Sequence, residues 1–416
     1  MVAFLFSIGD SNSMKIIFTV FFLNFTFYAS ASLTPKEIER MAVEHSAELK
    51  AQELEVEILE AETAVAGRWQ NPQIMGQFGS VESGGPSAST TELTITQNIP
   101  LSNKYSLRKE VAQAALKYRE LHAEYFQLWV RHQALLAAWD VAMNKELLLH
   151  GVERAKRLSL IKTYMENSPR VSVKQNVELS IVKSSVLHLE KMQDLKQHEL
   201  DVSLKELSFW LGREVKLAEI NFTLPAFTKV LLPAAIDSKN DMDLLLSQKQ
   251  LEAAKLEVAV ASRERLPDLT IGAGHRIEKV SPNNEFQYAV VGFTIPLWDS
   301  GSQKLSAARS KEMREERYLE HNMQKILSKH EKQYDRVMYH LQQLKRFPNS
   351  LVAEQEKQIY NAEKGFKQGL IDVNTFLQAE TQTHEVIDQV FINWMEYLID
   401  LSQYQLLRSE EFKWLQ

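Results

Sequence analysis

The chain has 416 residues, a net charge of −6 and no cysteine. That charge offers nothing to a nucleic-acid backbone, and the missing thiols exclude a disulfide framework, a cysteine nucleophile, a thiolate-held metal and an N-terminal lipid on cysteine. Its 14 glycines and 11 prolines gather at a few points, which leaves long stretches free for helix. In chain order, Met14-Lys15 precedes an apolar run from Ile16 to Tyr28 and the small residues Ala29-Ser30-Ala31. This reads as a signal peptide over residues 1–31, because the run is interrupted by Asn24 and Thr26 and falls short of the ~20 apolar residues of a membrane helix. Residues 1–13 stand outside that pattern, so Met14 is an alternative start.

Thr34-Pro35-Lys36-Glu37 begins a helix, with threonine as cap and proline in the first turn, and the helix is predicted from Glu37 to Ala66. Asn71-Pro72 and Ile99-Pro100-Leu101 bracket a β-hairpin at about 70–101, with Ser83-Gly84-Gly85-Pro86-Ser87 at its turn. From Leu107 the apolar positions step by four and three through Val111, Ala114, Tyr118, Leu121, Tyr125, Leu128, His132, Leu135, Trp139 and Ala142, the spacing of a coiled-coil seam. A helix from Ser102 to Asn167 would be about 100 Å long. Ser168-Pro169 stops it, and a helix returns from Val173 to Leu211-Gly212.

The pattern then repeats. After an irregular connection at 213–240 and a helix from Asp241 to Arg265, Leu266-Pro267 opens a second hairpin at about 266–297. Leu269, Ile271 and Ala273 alternate with Thr270, Gly272 and Gly274, Ser281-Pro282-Asn283-Asn284 supplies the turn, and Pro296 closes the strand that begins at Phe286. A long helix follows Gly301 to Lys367, with a kink expected at Phe347-Pro348-Asn349, and Gly369 reverses the chain. The returning helix is expected to bury Leu370, Val373, Leu377, Ile387, Phe391, Trp394, Leu398 and Leu401. Residues 32–212 and 241–416 are therefore two related halves, each with a hairpin and a long helical hairpin, tipped near 168–170 and 368–370.

No constellation for catalysis or for a cofactor emerges. Gly272-Ala273-Gly274 lies inside a strand and lacks the third glycine of a dinucleotide fingerprint. Glu53, Glu55 and Glu57 read as a solvated helix face. His132 and His384 lie on apolar faces without a second ligand at metal spacing and read as packing residues, so neither a cofactor nor a metal is expected.

Arg68-x-x-Asn71-Pro72, Gln97-Asn98-Ile99-Pro100-Leu101, Leu266-Pro267, Ile295-Pro296-Leu297-Trp298-Asp299-Ser300-Gly301 and Gly369-Leu370-Ile371-Asp372 with Leu377-Gln378-Ala379-Glu380 form an ordered set that resembles the TolC-like outer-membrane efflux protein family. The compact length and Lys104 look most like the CzcC-like heavy-metal branch. The resemblance covers the whole mature chain. It implies a mainly α fold with membrane β: a long antiparallel α-helical coiled-coil barrel, and four strands per chain in a trimeric twelve-stranded β-barrel. Physics agrees that two open-edged hairpins can cross a membrane only within a closed barrel.

The resemblance further implies a homotrimer in outer-membrane lipid, the helices in the periplasm, acting as the exit duct of a tripartite efflux system. A periplasmic adaptor (membrane fusion) protein and an inner-membrane pump, RND type ahead of ABC, would be the partners. The adaptor would dock at a tip formed by Ser168, Pro169, Arg170, Gln368, Gly369 and Leu370. The family's acidic rings above the tip fall here on Thr375 and Gln378 in the second half, and in the first half only Glu178 is acidic. Glu178 and Asp372 are thus the candidate constriction carboxylates, with a surface position outside the bore as the alternative for Glu178. Two other readings stay open: the outer-membrane component of a type I protein-secretion system, and a soluble periplasmic coiled-coil scaffold or adaptor.

Overall fold

A computed structural model describes residues 32–81, 88–169, 172–222, 231–237, 239–279, 282–294, 300–347 and 351–413. The signal peptide, the Ser83–Ser87 turn, Arg170, residues 223–230 of the connection, Ser281, the stretch Ile295–Asp299 and Pro348-Asn349 lie outside the described residues.

Thr34 caps α1 (Pro35–His45) through a capping box: its Oγ accepts from the Glu37 backbone at 3.3 Å while its own N–H donates to the Glu37 carboxylate at 2.8 Å. The single helix predicted to Ala66 is instead two. Ser46 leaves helical conformation at ψ 106° and its Oγ accepts from the Leu49 N–H, so it caps a new helix, α2 (Ala47–Ala66). A serine hydroxyl competes for backbone donors in this way, which propensity alone does not reveal.

Strands β1 (Gln73–Val81), β2 (Ala88–Pro100), β3 (Asp268–Lys279) and β4 (Asn284–Thr294) form one antiparallel sheet in that order. The two hairpins join along β2 and β3, with Leu93 opposite His275 and Ile99 opposite Leu269, and β1 and β4 are the edges. Between them in sequence, α3 (Lys104–Asn167) has 64 residues, about 96 Å at 1.5 Å per residue. None of the seam positions named from Leu107 to Ala142 is exposed, and Leu107, Ala114, His132, Leu135, Trp139 and Ala142 are buried. The return helix α4 (Val173–Leu211) packs along α3 and ends at Gly212, whose φ of 67° suits only a residue without Cβ.

In the second half α5 (Met242–Arg263) packs on α6 (Ser302–Lys345), while α6 and α7 (Leu351–Lys367) pack on α8 (Val373–Leu407). The long helix predicted to Lys367 with a kink at Phe347-Pro348-Asn349 is described as two helices, α6 ending before Arg346 and α7 beginning at Leu351. Between the halves, the 3-10 turn Leu217–Glu219 and residues 231–237 lie against the other elements. The carbonyls of Leu231, Ala234 and Ala235 accept from Tyr397, Tyr404 and Arg408 of the α8 end.

Two apolar clusters hold the helices. The larger, at mid-height, joins Ile38, Leu135, Trp139, Leu207, Leu341, Trp394, Tyr397 and Leu401. The smaller, toward the helix ends, joins Ala155, Leu158 and Ile161 of α3 with Val182, Val186 and Leu189 of α4 and Val373 and Phe376 of α8. His132 sits in the larger cluster, stacked on Phe412, with Nδ1 2.9 Å from Ser402 Oγ and Nε2 2.9 Å from the Glu410 carbonyl. Burial holds its pKa below the usual value. Glu53, Glu55 and Glu57 are exposed.

Candidate functional site

Two regions carry functional potential: the sheet and the helix reversals at the other end. In the sheet, residues directly opposite share a face. Ile74, Ile95, Ala273 and Ala289 form one such row, and Ile271-Val291 and Leu269-Phe293 stand beside it. This face is mainly apolar and open, with Ile74 71%, Phe78 81%, Val291 68% and Phe293 60% exposed, and it also carries Thr91, Gln97, His275, Glu285 and Gln287. The other face carries Gln77, Glu92, Thr94, Thr96, Thr270, Arg276, Glu278 and Tyr288, along with the apolar Met75, Phe286 and Val290.

On the polar face Gly274 is required by its neighbour. A Cβ there would lie 2.1 Å from the Tyr288 ring, because Tyr288 crosses β3 to place its hydroxyl 2.7 Å from Thr94 Oγ1 of β2 and against the Glu92 carboxylate. At the helix junction, the buried Lys104 places Nζ 2.5 Å from the half-buried Asp268, and Arg108 meets Glu264 at 2.6 Å. Among the described residues no helix is long and apolar enough to cross a membrane.

At the first reversal Ser168 turns extended, its Oγ donating to the Tyr164 carbonyl at 2.8 Å, and Pro169 is exposed. Arg170 lies outside the described residues. Ser172 then caps α4 through a box with Gln175. At the second reversal Gly369 has φ 71°. Its N–H donates to Phe366 and the Leu370 N–H donates to the Gly365 carbonyl at 2.8 Å, the two bonds of a Schellman ending after Gln368.

In that motif the residue after the glycine ordinarily packs on the one five positions earlier. Here that residue is Gly365, which offers no side chain, and Ile371 lies over it instead. Leu370, expected on the buried face of the returning helix, is therefore 75% exposed. Leu377 and Phe391 are half-buried, whereas Val373, Ile387, Trp394, Leu398 and Leu401 are buried.

The two reversals meet: Tyr164 donates to the Lys367 carbonyl at 3.3 Å and its ring stands edge-on to Phe366. The structure also draws Glu178 and Asp372 toward one cation that the sequence reading passed over. Lys174 Nζ lies 3.7 Å from Glu178, and its charge also acts on Asp372. Asp372 caps α8 by accepting from the Thr375 N–H at 2.9 Å; this bond, then the Thr375 hydroxyl and Lys174, holds its carboxyl below the usual range. The i,i+4 spacing of Lys174 and Glu178 was the available signal. Glu178 itself is half-buried rather than free. No group of three histidines or carboxylates among the described residues is placed to hold a metal.

No family profile and no curated protein matches this sequence. Solved structures do match it over nearly its whole length. The Campylobacter jejuni CmeC outer membrane channel aligns with TM-score 0.73 at 13% identity, covering 97% of this chain and 95% of that one. The open-state Neisseria gonorrhoeae MtrE outer membrane channel gives 0.74 at 10% identity, over 91% and 89%. The outer membrane protein VceC of Vibrio cholerae gives 0.71 at 15%, over 91% and 97%. The sheet of two hairpins on a pair of long helical hairpins is thus the fold of the TolC-like outer-membrane channels.

Proposed function

We propose that this protein is the outer-membrane exit duct of a tripartite efflux system. It passively conducts substrate handed over by an inner-membrane pump, of the RND type, through a periplasmic adaptor. Heavy-metal cations or small toxic compounds are the proposed cargo. Residues 1–31 direct export, and three copies close the sheet edges into one twelve-stranded barrel with the helices in the periplasm.

The observation that carries this reading is the two-faced, open-edged sheet joined to long helices, the longest of about 96 Å. Side chains such as Ile74, Phe78, Val291 and Phe293 stand in the open, and each gains about 1.5–3 kcal/mol on leaving water. Lipid on one face and a water-filled lumen on the other satisfy both sets of residues, and closure satisfies the edge strands. A soluble scaffold would leave that apolar face in water.

At the helix ends, Gln368, Gly369 and Leu370 with Ser168, Pro169 and Arg170 present the docking surface for the adaptor, and Glu178 with Asp372 lines a constriction partly neutralised by Lys174. Recording from the purified protein in planar bilayers tests this. The duct predicts discrete, long-lived conductance steps, with cation preference reduced in Glu178→Gln and increased in Lys174→Ala. Absence of conductance removes the duct; unchanged selectivity in both variants takes Glu178 off the bore.

A further inference from the structure

Apolar packing between α3 and α8 is interrupted once. Along α3 the larger cluster ends at Met143 with Leu148 packed beside it, and the smaller begins at Ala155. Along α8 the smaller ends at Phe376 with Leu377 beside it, and the larger resumes at Val390. Besides the buried Ile387, the gap holds a polar chain. His150 Nδ1 lies 3.1 Å from Asp388 Oδ1 and His384 Nδ1 lies 2.8 Å from His150 Nε2. His384 Nε2 faces Glu380 Oε1 at 3.3 Å. Arg154 holds both Glu380 oxygens at 2.7 and 2.9 Å. A cleft of about 590 Å³ between α3, α4 and α8 opens beside it.

Proton bookkeeping singles out one state of this chain. With both imidazoles neutral, the Asp388 carboxylate fixes the His150 proton on Nδ1, so His150 Nε2 accepts from His384 Nδ1–H. His384 Nε2 then carries a lone pair toward a carboxylate, and it is a buried nitrogen without a hydrogen bond. One added proton relieves this: His150 donates from both nitrogens, to Asp388 and to His384 Nδ1, and the His384 proton moves to Nε2, which faces Glu380 Oε1 at 3.3 Å with a proton in place of a lone pair. A second proton would set two N–H groups against each other at the 2.8 Å contact.

The geometry points to a proton-operated tie between α3 and α8. The His150–His384 pair binds one proton, and that proton completes the chain from Asp388 to Arg154 and locks the tip-ward half of α8 onto α3. The charged and titratable groups facing it are Arg154 and Arg157 on α3, Glu380, Glu385 and Asp388 on α8, and His188 and Lys196 across the cleft on α4. Burial, then the charges of His150, Arg154 and Arg157, pushes His384 down to about 3, which keeps the second proton off until strongly acidic pH. The sign follows: the tie is present while the pair holds its proton and is lost as pH rises through the pair's own titration. Where the smaller cluster beyond the tie is the inner end of a duct, external pH would set how firmly that end is held; this consequence rests on the duct reading, whereas the tie itself does not.

The cysteine-free chain allows a unique pair of spin labels at the exposed positions Lys156 of α3 and Gln378 of α8. In the full-length protein in detergent, the distance distribution should be narrow at pH 6 and broad at pH 9. Asp388→Asn should move the midpoint down by about one pH unit or more, since an opposing charge is lost. His150→Gln and His384→Gln, two independent variants in case one fails to fold, should each give the same distribution at both pH values. A wild-type distribution unchanged between pH 6 and 9, or a pH response retained in either histidine variant, overturns the proposal. The measurement needs no conduction, so failure of the duct reading leaves its result intact.

Discussion

At the second reversal a run of small decisions about side chains sets the chemistry of the surface. Gly369 takes the left-handed conformation with nothing within 4 Å of where a Cβ would stand, so alanine there would cost about 1–2 kcal/mol of backbone strain without any clash. Gly365 leaves Leu370 no partner, and an apolar side chain remains in water at the end of a helix pair. Leu370→Asp should therefore abolish efflux and cross-linking to the adaptor in cells while leaving trimer yield and membrane insertion at wild-type levels. Loss of the trimer would make Leu370 a packing residue, and surviving efflux would move the docking surface elsewhere. The reversal itself was legible, because glycine after a helix and aspartate before the next are local signals. The exposure of Leu370 depends on Gly365, and the contact of His150 with His384 spans 234 positions, although the steps of four in His150-Arg154 and Glu380-His384-Asp388 were visible.

Among the elements, the strands give the sharpest test. The sheet assigns Ala289, Val291 and Phe293 to the apolar face and Val290 and Gly292 to the polar one. Arginine at Val291 or Phe293 should cost about 2–4 kcal/mol near a bilayer midplane and far less at Val290 or Gly292. An arginine scan from Ala289 to Phe293 should thus show trimer yield alternating with a period of two, and a flat profile would remove the strand from the membrane. The sequence alternation displayed both faces of each strand but not which were shared across the sheet; pairing did, by gathering Ile74, Ile95 and Ile271 beside Val291. Helix α3 was legible because its seam is long and regular. The break at Ser46 was not, since serine is an ordinary helix surface residue until its hydroxyl takes the Leu49 N–H.

For the whole molecule, the two halves of the sequence meet along β2 and β3 and leave β1 and β4 as open edges. Unpaired edges with one apolar face belong in a closed assembly, and threefold repetition of four strands gives a barrel of a size that spans membranes with a polar lumen. The account stands or falls on that closure. The measurement that addresses it is the molar mass, by light scattering in mild detergent, of the protein extracted from the outer-membrane fraction. The account predicts a monodisperse species of three chains after subtraction of detergent. A single chain, or release of the protein from membranes by carbonate washing before any detergent is added, would contradict it.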